Sequence, residues 1–215
     1  MLADLLPAAV CVAEVFADPP DARLFPAEEP FVARAVAGRR QEFVTGRHCA
    51  RAALAGLGVA PVAIVRGERG APQWPGGVVG SITHCTGYRA AAVARADQVT
   101  TLGIDAEPAQ PLPAGVLRLV SLPGEREMLA ELAADRPEVP WDRLLFSAKE
   151  SVYKAWAPLT GTWLDFSDAE LTIGTTGTFL AKLLIDGARL VGGERGELTG
   201  RYLVRDGLVV TAVAR

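Results

Sequence analysis

The chain predicts an α+β fold, equivalently a two-layer α/β arrangement with mostly antiparallel pairing. Three observations carry this: a long helical stretch ahead of a first group of short strands, two helical stretches in mid-chain, and a strand-rich tail. With 215 residues and 50% hydrophobic content, there is material for one large domain or two small lobes with real cores.

Residues 1–29 read as irregular, interrupted by Pro7, Pro19, Pro20 and Pro26. Residues 28–58, "EEPFVARAVAGRRQEFVTGRHCARAALAGLG", read as helical. Acids start the stretch, Pro30 suits a first turn, and Gly56 and Gly58 suit an end. "PVAIVR" (61–66) predicts a short strand and "GERGAPQWPGG" a loop. "VVGSITHC", "YRAAAVAR" and "VTTLGID" predict three further strands. Helices are expected over 122–134 and 139–159. The strands "AELTIG", "TFLAKLLID", "GRYLVR" and "GLVVTAVA" complete the chain. Each half sets a helix before strands, without any repeat in the residues themselves.

Bulk properties exclude several classes. A net charge of -3 argues against general nucleic-acid affinity. No apolar run approaches the roughly 18–20 residues that cross a bilayer, and the first residues lack a basic segment before an apolar one, so neither a membrane span nor a signal peptide is expected. Cys11, Cys49 and Cys85 form no CxxC and read as reduced, partly buried thiols of a cytoplasmic protein.

Residues 102–108, "LGIDAEP", end a strand with two carboxylates. Residues i and i+2 of a strand face one side, so Asp105 and Glu107 project together. They repel unless a cation lies between them; a solvated turn is the other reading. The helix carrying "FSAKESVYKAW" places Glu150 and Lys154 one turn apart. They form either a surface pair or part of a converging site. Three carboxylates on one point, completed by water or phosphate, suit Mg²⁺. "GSITHC" puts Gly80, Ser81 and His84 at another strand end, as donors to an anion or as an ordinary turn. In the first helix, Arg40, Arg47 and Arg51 share a face with Arg39 on its flank, a phosphate grip or a solvated basic face.

Taken in order, "GSITH", "GIDAE" and "FSAKESVYKAW" resemble the 4′-phosphopantetheinyl transferases of the larger, Sfp-like class. The spacing fits: about 20 residues between the first two motifs and about 40 to "KES". "RRQEFVTGRHCAR" and "GAPQWP" are similar to the family's actinobacterial type II members, and the likeness covers nearly the whole chain. It implies two similar lobes, here 1–108 and 109–215, with coenzyme A bound in the cleft between them. It implies transfer of the phosphopantetheine arm to a serine of an apo carrier protein, with release of adenosine 3′,5′-bisphosphate. By motif position, Asp105, Glu107 and Glu150 would hold Mg²⁺ (or Mn²⁺). Lys154 would assist the leaving group, and Glu150 is also the expected base, with a water on the metal as its rival. Ser81 and His84 would meet the pyrophosphate. Arg39 and Arg47 would grip the 3′-phosphate, with Arg66 and Lys149 as further contacts. A helix broken at Gly38 would reconcile Arg39 with the face that favours Arg40.

The implied partners are acyl or peptidyl carrier proteins or domains of fatty acid, polyketide or nonribosomal peptide synthases. These are typically acidic helical bundles, and the segment 121–129, "SLPGEREML", is a candidate receiving surface; its apolar residues read equally as core. A cytoplasmic monomer is expected. The rivals are a Mg²⁺-dependent nucleotide phosphohydrolase and an inactive carrier-binding module.

Overall fold

A computed structural model describes residues 1–185 and 196–215. Among the described residues, eight strands form two antiparallel sheets. The first contains β1 (Cys11–Val15), β2 (Val78–Cys85) and β3 (Tyr88–Arg95), in the order β1-β3-β2. The second contains β4 (Leu102–Pro108), β5 (Ala169–Ile173), β6 (Thr178–Leu183), β7 (Glu197–Arg205) and β8 (Leu208–Ala214), in the order β4-β8-β7-β6-β5. Four α-helices accompany them among the described residues: α1 (Ala37–Gly56), α2 (Val116–Val120), α3 (Pro123–Asp135) and α4 (Trp141–Thr160).

The α+β expectation holds, and several elements differ in detail. The first helix begins at Ala37, after a 3₁₀ turn at Glu29–Val32 that contains Pro30. Val36 is extended (ψ 154°), which separates the two. Gly38 therefore lies in the first turn of α1 and breaks nothing. The stretch 61–66 forms no strand; its one ladder contact is an isolated bridge between Arg66 and Pro72. Side chains have replaced a strand partner there: Glu28 Oε1 accepts from the Ile64 amide at 2.8 Å, and Arg47 Nε donates to the Ile64 carbonyl at 3.1 Å. β1 lies inside the stretch read as irregular. α2 was signalled by no cap or period. The expected strand 178–186 ends at Leu183, and its last residue, Asp186, lies outside the described residues.

β4 was expected to close the first lobe. Its main-chain partner is β8, with Asp105 opposite Thr211, so the hydrogen-bonded division falls before Leu102 rather than after Pro108. The strand ending in the two acids thus belongs to the same sheet as the strands that follow α4.

Three apolar clusters hold the described residues. Cys49, Ala50, Ala53 and Leu54 of α1 pack on Ala91 and Val93 of β3. On the other face of β3, Ala90 and Ala92 meet Ile104, Ala106, Val210 and Ala212. Because both faces of β3 are buried, "YRAAAVAR" reads as nearly continuous small apolar residues. Leu144, Leu145, Ala148 and Val152 of α4 cover Leu171, Phe179, Ala181 and Leu198. Cys11, Cys49 and Cys85 are free thiols. Burial pushes Cys49 up to about 11 and Cys85 up to about 12, which keeps both protonated and unreactive at neutral pH. Among the described residues, no helix is long and apolar enough to cross a membrane.

Candidate active site

α4 lies directly against β4. A Cβ on Gly103 would come within 2.0 Å of the Ser151 carbonyl oxygen and 2.6 Å of the Ala155 nitrogen, so only glycine permits this approach. The alternation of β4 then turns Asp105 and Glu107 toward the same helix. On α4, Arg143, Ser147, Glu150 and Lys154 recur at helical spacing along the facing stripe.

Asp105 is almost buried, at 5% exposure, and its carboxylate is held by donors on both oxygens. Lys154 Nζ lies 2.6 Å from Oδ1, Thr83 Oγ1 donates to Oδ1 at 3.3 Å, and Ser147 Oγ donates to Oδ2 at 2.8 Å. Lys154 therefore pairs with Asp105; the Glu150–Lys154 surface pair that the i, i+4 spacing permits is not formed. Glu107 gives Oε2 to Arg143 Nη1 at 2.9 Å.

The remaining carboxyl, Glu150, is held above the ordinary carboxylate range. Burial is the main cause; Lys154 opposes it and the charge of Asp105 adds to it. Glu107 is raised in the same way, by burial first and then by Asp105, against the pull of Arg143 and Lys154. The charge of Asp105 thus reaches Glu150. Among the described residues, no three His, Cys, Asp or Glu side chains are already gathered as a metal-binding group. Asp105 and Glu107 are taken up by Lys154 and Arg143 instead.

β2 runs beside β4 and is joined to it by side chains. The Ile104 amide donates to Ser81 Oγ at 3.2 Å, and the Ala106 amide donates to Thr83 Oγ1 at 3.0 Å. Ser81 is buried in this joint, which is a structural position rather than an open anion contact. Gly80 is explained by packing and not by anion approach: a Cβ there would lie 2.7 Å from the Trp74 ring, whose Nε1 donates to the Gly80 carbonyl at 2.9 Å.

His84, at the end of β2, faces the start of α1. Its Nε2 lies 2.7 Å from Arg39 Nη1, and its Nδ1 lies 3.5 Å from Glu42. A guanidinium can only donate, so Nε2 is the acceptor and the imidazole is neutral in this arrangement. Burial lowers the His84 pKa; Glu42 opposes this, while Arg39, Lys154 and Arg89 reinforce it. The two motifs therefore meet: the field of Lys154 reaches His84.

Arg47 is buried over Phe43, with its guanidinium carbon 3.7 Å from the ring centroid. Its pKa is pulled down to about 10, chiefly by burial, with Glu28 opposing and Arg66, Arg51 and Arg39 adding repulsion. The structure thus brings Arg39, Arg47 and Arg66 into one cationic neighbourhood. Arg51 turns away to the wholly buried Glu28, at 2.8 Å, and Arg40 to Glu29.

Lys149 goes elsewhere. Its three donors are spent on Glu125 at 2.8 Å and on the carbonyls of Phe166 and Ala169 at 2.7 and 2.9 Å. It is a buried structural pair, and an ammonium with no proton to spare makes a poor contact for coenzyme A. It borders a cavity of about 140 Å³ beside Glu150, whose wall includes Tyr153, Trp163, Leu164 and Phe166.

Thr83, Ser147, Arg143 and Glu42 are site neighbours that the motifs did not single out. Thr83 alternates with Ser81 in "SITH", and Arg143 and Ser147 precede Glu150 at helical spacing, so periodicity carried a signal for these three. For Glu42 there was none.

The chain is similar to known proteins along its whole length. Residues 27–94 match the model of the 4′-phosphopantetheinyl transferase N-terminal domain, and residues 101–203 match that of the 4′-phosphopantetheinyl transferase superfamily. The chain is 58% identical over 219 residues to the 4′-phosphopantetheinyl transferase Svp of Streptomyces mobaraensis, covering 100% of this chain and 89% of that protein. It is 50% identical over 223 residues to the 4′-phosphopantetheinyl transferase PptT of Mycobacterium tuberculosis, covering 99% and 97%. It is also 50% identical over 223 residues to the 4′-phosphopantetheinyl transferase Npt of Nocardia iowensis, covering 100% and 99%. With likeness this close over the full chain, the chain belongs to the 4′-phosphopantetheinyl transferase superfamily.

Proposed function

We propose that the protein transfers the 4′-phosphopantetheine arm of coenzyme A to a serine hydroxyl of an apo carrier protein, releasing adenosine 3′,5′-bisphosphate. The observation that supports this reading is the placing of Asp105 and Glu107 on the face of β4 that meets Glu150 and Lys154 of α4, with the charge of Lys154 reaching His84.

The donor set fits a hard divalent cation. It is all oxygen, Asp105 raises both of its neighbours, and no hydrogen bond is among the causes acting on Glu150. Asp105, Glu107 and Glu150 would hold Mg²⁺ or Mn²⁺, which supplies charge neutralisation for the pyrophosphate. Arg39, Arg47 and the exposed Arg66 take the 3′-phosphate, because forked guanidinium donors match its oxygens and Arg47 has no anionic partner in direct contact among the described residues. Once Arg39 turns to the ligand, His84 Nε2 is freed to take up a proton and donate it in a hydrogen bond to the pyrophosphate. The apolar wall of the cavity beside Glu150 suits the arm itself.

In the transfer, Glu150 takes the proton of the serine hydroxyl; burial holds its pKa above the ordinary range and makes it a better base than a free carboxylate. An O–P bond forms at the phosphorus that bears the arm. The bond from that phosphorus to the bridging oxygen breaks, and its electron pair leaves on the bisphosphate, where Lys154 offsets the new charge. Positioning and charge neutralisation carry most of such a reaction. The carrier approaches over α2 and the start of α3, where Leu119 is 80% exposed. Three free thiols suit a cytoplasmic site of action, with the chain acting as a monomer.

The test is incubation with coenzyme A, Mg²⁺ and a panel of apo acyl and peptidyl carrier proteins, read by intact mass. A gain of one phosphopantetheine on a carrier is expected, and the panel identifies which synthase is served. Phosphate release without a carrier would point to hydrolysis, and carrier binding without a mass change to an inactive module.

A further inference from the structure

We propose that Arg143 is a positioning residue that binds Glu107 and the turn behind β4 into one unit, so that Glu107 offers its second oxygen to the site. All three nitrogens of its guanidinium act on one short segment. Nη1 pairs with Glu107 Oε2 at 2.9 Å, Nε donates to the Gln110 carbonyl at 3.0 Å, and Nη2 donates to the Pro111 carbonyl at 3.0 Å. The neighbouring Asp142 continues the grip, its Oδ2 accepting from the Leu112 amide at 2.9 Å. Glu107 Oε1 receives no hydrogen bond among the described residues, so the clamp fixes one carboxylate oxygen and leaves the other free.

The same rigid helix carries Ser147 and Lys154, which hold Asp105, and Glu150. One rod therefore sets the separations among all three acids: Arg143 by fixing Glu107, the next two turns by fixing Asp105. The clamped turn also leads into α2, so the seat of Glu107 and the surface around Leu119 share one anchor. A lysine could keep a charge beside Glu107 but could not span the two carbonyls as well, because only a planar fork presents donors in three directions. The purpose assigned to Glu107 rests on the transferase reading; the clamp rests on the distances alone.

The test uses the full chain with R143A and R143K. Amide hydrogen exchange over 109–121 is expected to speed up about tenfold or more in R143A, with 78–95 unchanged. R143K should loosen the same segment, and it serves in place of R143A if the latter does not fold. Mn²⁺ affinity, measured by electron paramagnetic resonance with coenzyme A present and no carrier, should fall roughly 10-fold in R143A and less in R143K, the usual scale for a lost outer-sphere partner. Exchange identical to wild type in R143A overturns the clamp, and unchanged Mn²⁺ affinity in both variants overturns the presentation of Glu107 to the site. A wild type that binds no Mn²⁺ overturns the metal reading instead, and the exchange result still decides the clamp.

Discussion

Lys154 Nζ and Asp105 Oδ1 lie 2.6 Å apart, joining α4 to β4 across 49 residues of sequence. This contact fixes the acidic end of β4 against α4. It sets a lysine against the most buried of the three acids and leaves Glu150, one turn away, without that partner. Asp105→Ala is expected to abolish transfer, by on the order of 100-fold or more, the scale seen when a single charge-stabilising group is lost. The fold should survive, since Lys154 is partly exposed and can turn to water. Mass-detected carrier loading and far-UV circular dichroism check both halves, and a folded, active variant would sink the metal-site reading.

Arg47→Ala is expected to raise the KM for coenzyme A more than it lowers kcat. Its guanidinium is buried among other arginines, with its pKa pulled to about 10, and remains charged at neutral pH; an entering phosphate relieves that repulsion. The signature is loss of discrimination between coenzyme A and 3′-dephospho-coenzyme A. A variant that still separates the two as wild type does would remove Arg47 from the 3′-phosphate site.

Glu150→Gln should inactivate the enzyme and also stabilise it, in the absence of divalent metal. Burial raises the Glu150 pKa above its unfolded value, so the folded state favours the protonated form. Stability from that proton is present below the ordinary carboxylate pKa and is lost as pH rises through the raised folded value. The amide never pays this cost. The variant should therefore match wild type in Tm near pH 4 and exceed it at pH 7, with roughly 2–4 °C for each kcal/mol in a chain of this size. Thermal melts in EDTA across that range provide the check, and a gap that narrows with rising pH would contradict the sign.

Gly103→Ala should destabilise the protein by at least about 3 kcal/mol, the upper end of ordinary overpacking. The added Cβ would meet the Ser151 carbonyl at 2.0 Å, and backbone on both sides leaves neither partner free to move. Urea unfolding measures the loss. Residual folded protein should also transfer poorly, because any retreat of α4 carries Lys154 and Glu150 away from Asp105.

Much of the site was legible because its signals are local. Asp105 and Glu107 share a strand face by alternation, and Glu150 and Lys154 share a helix face by period; neither needs knowledge of the rest of the chain. The order of the motifs then named the family. The same local rules misplaced 61–66, whose apolar, β-branched residues suit a strand. There the buried Glu28 takes the Ile64 amide, a side chain 36 residues distant doing what a neighbouring strand would have done. They also gave Gly80 to an anion, when the Trp74 ring occupies that space.

By itself, then, the sequence determined the α+β class, the long helices, most strands, the acid pairs and the family, because periodicity, turn chemistry and motif order are properties of neighbours along the chain. Only the tertiary structure decided that β4 pairs with β8, that Lys154 answers Asp105 rather than Glu150, and that Lys149 is spent on Glu125. The reason is physical: a charged side chain takes the partner that folding brings within hydrogen-bond reach, and on α4 that partner comes from β4 or α3, not from the next turn of its own helix.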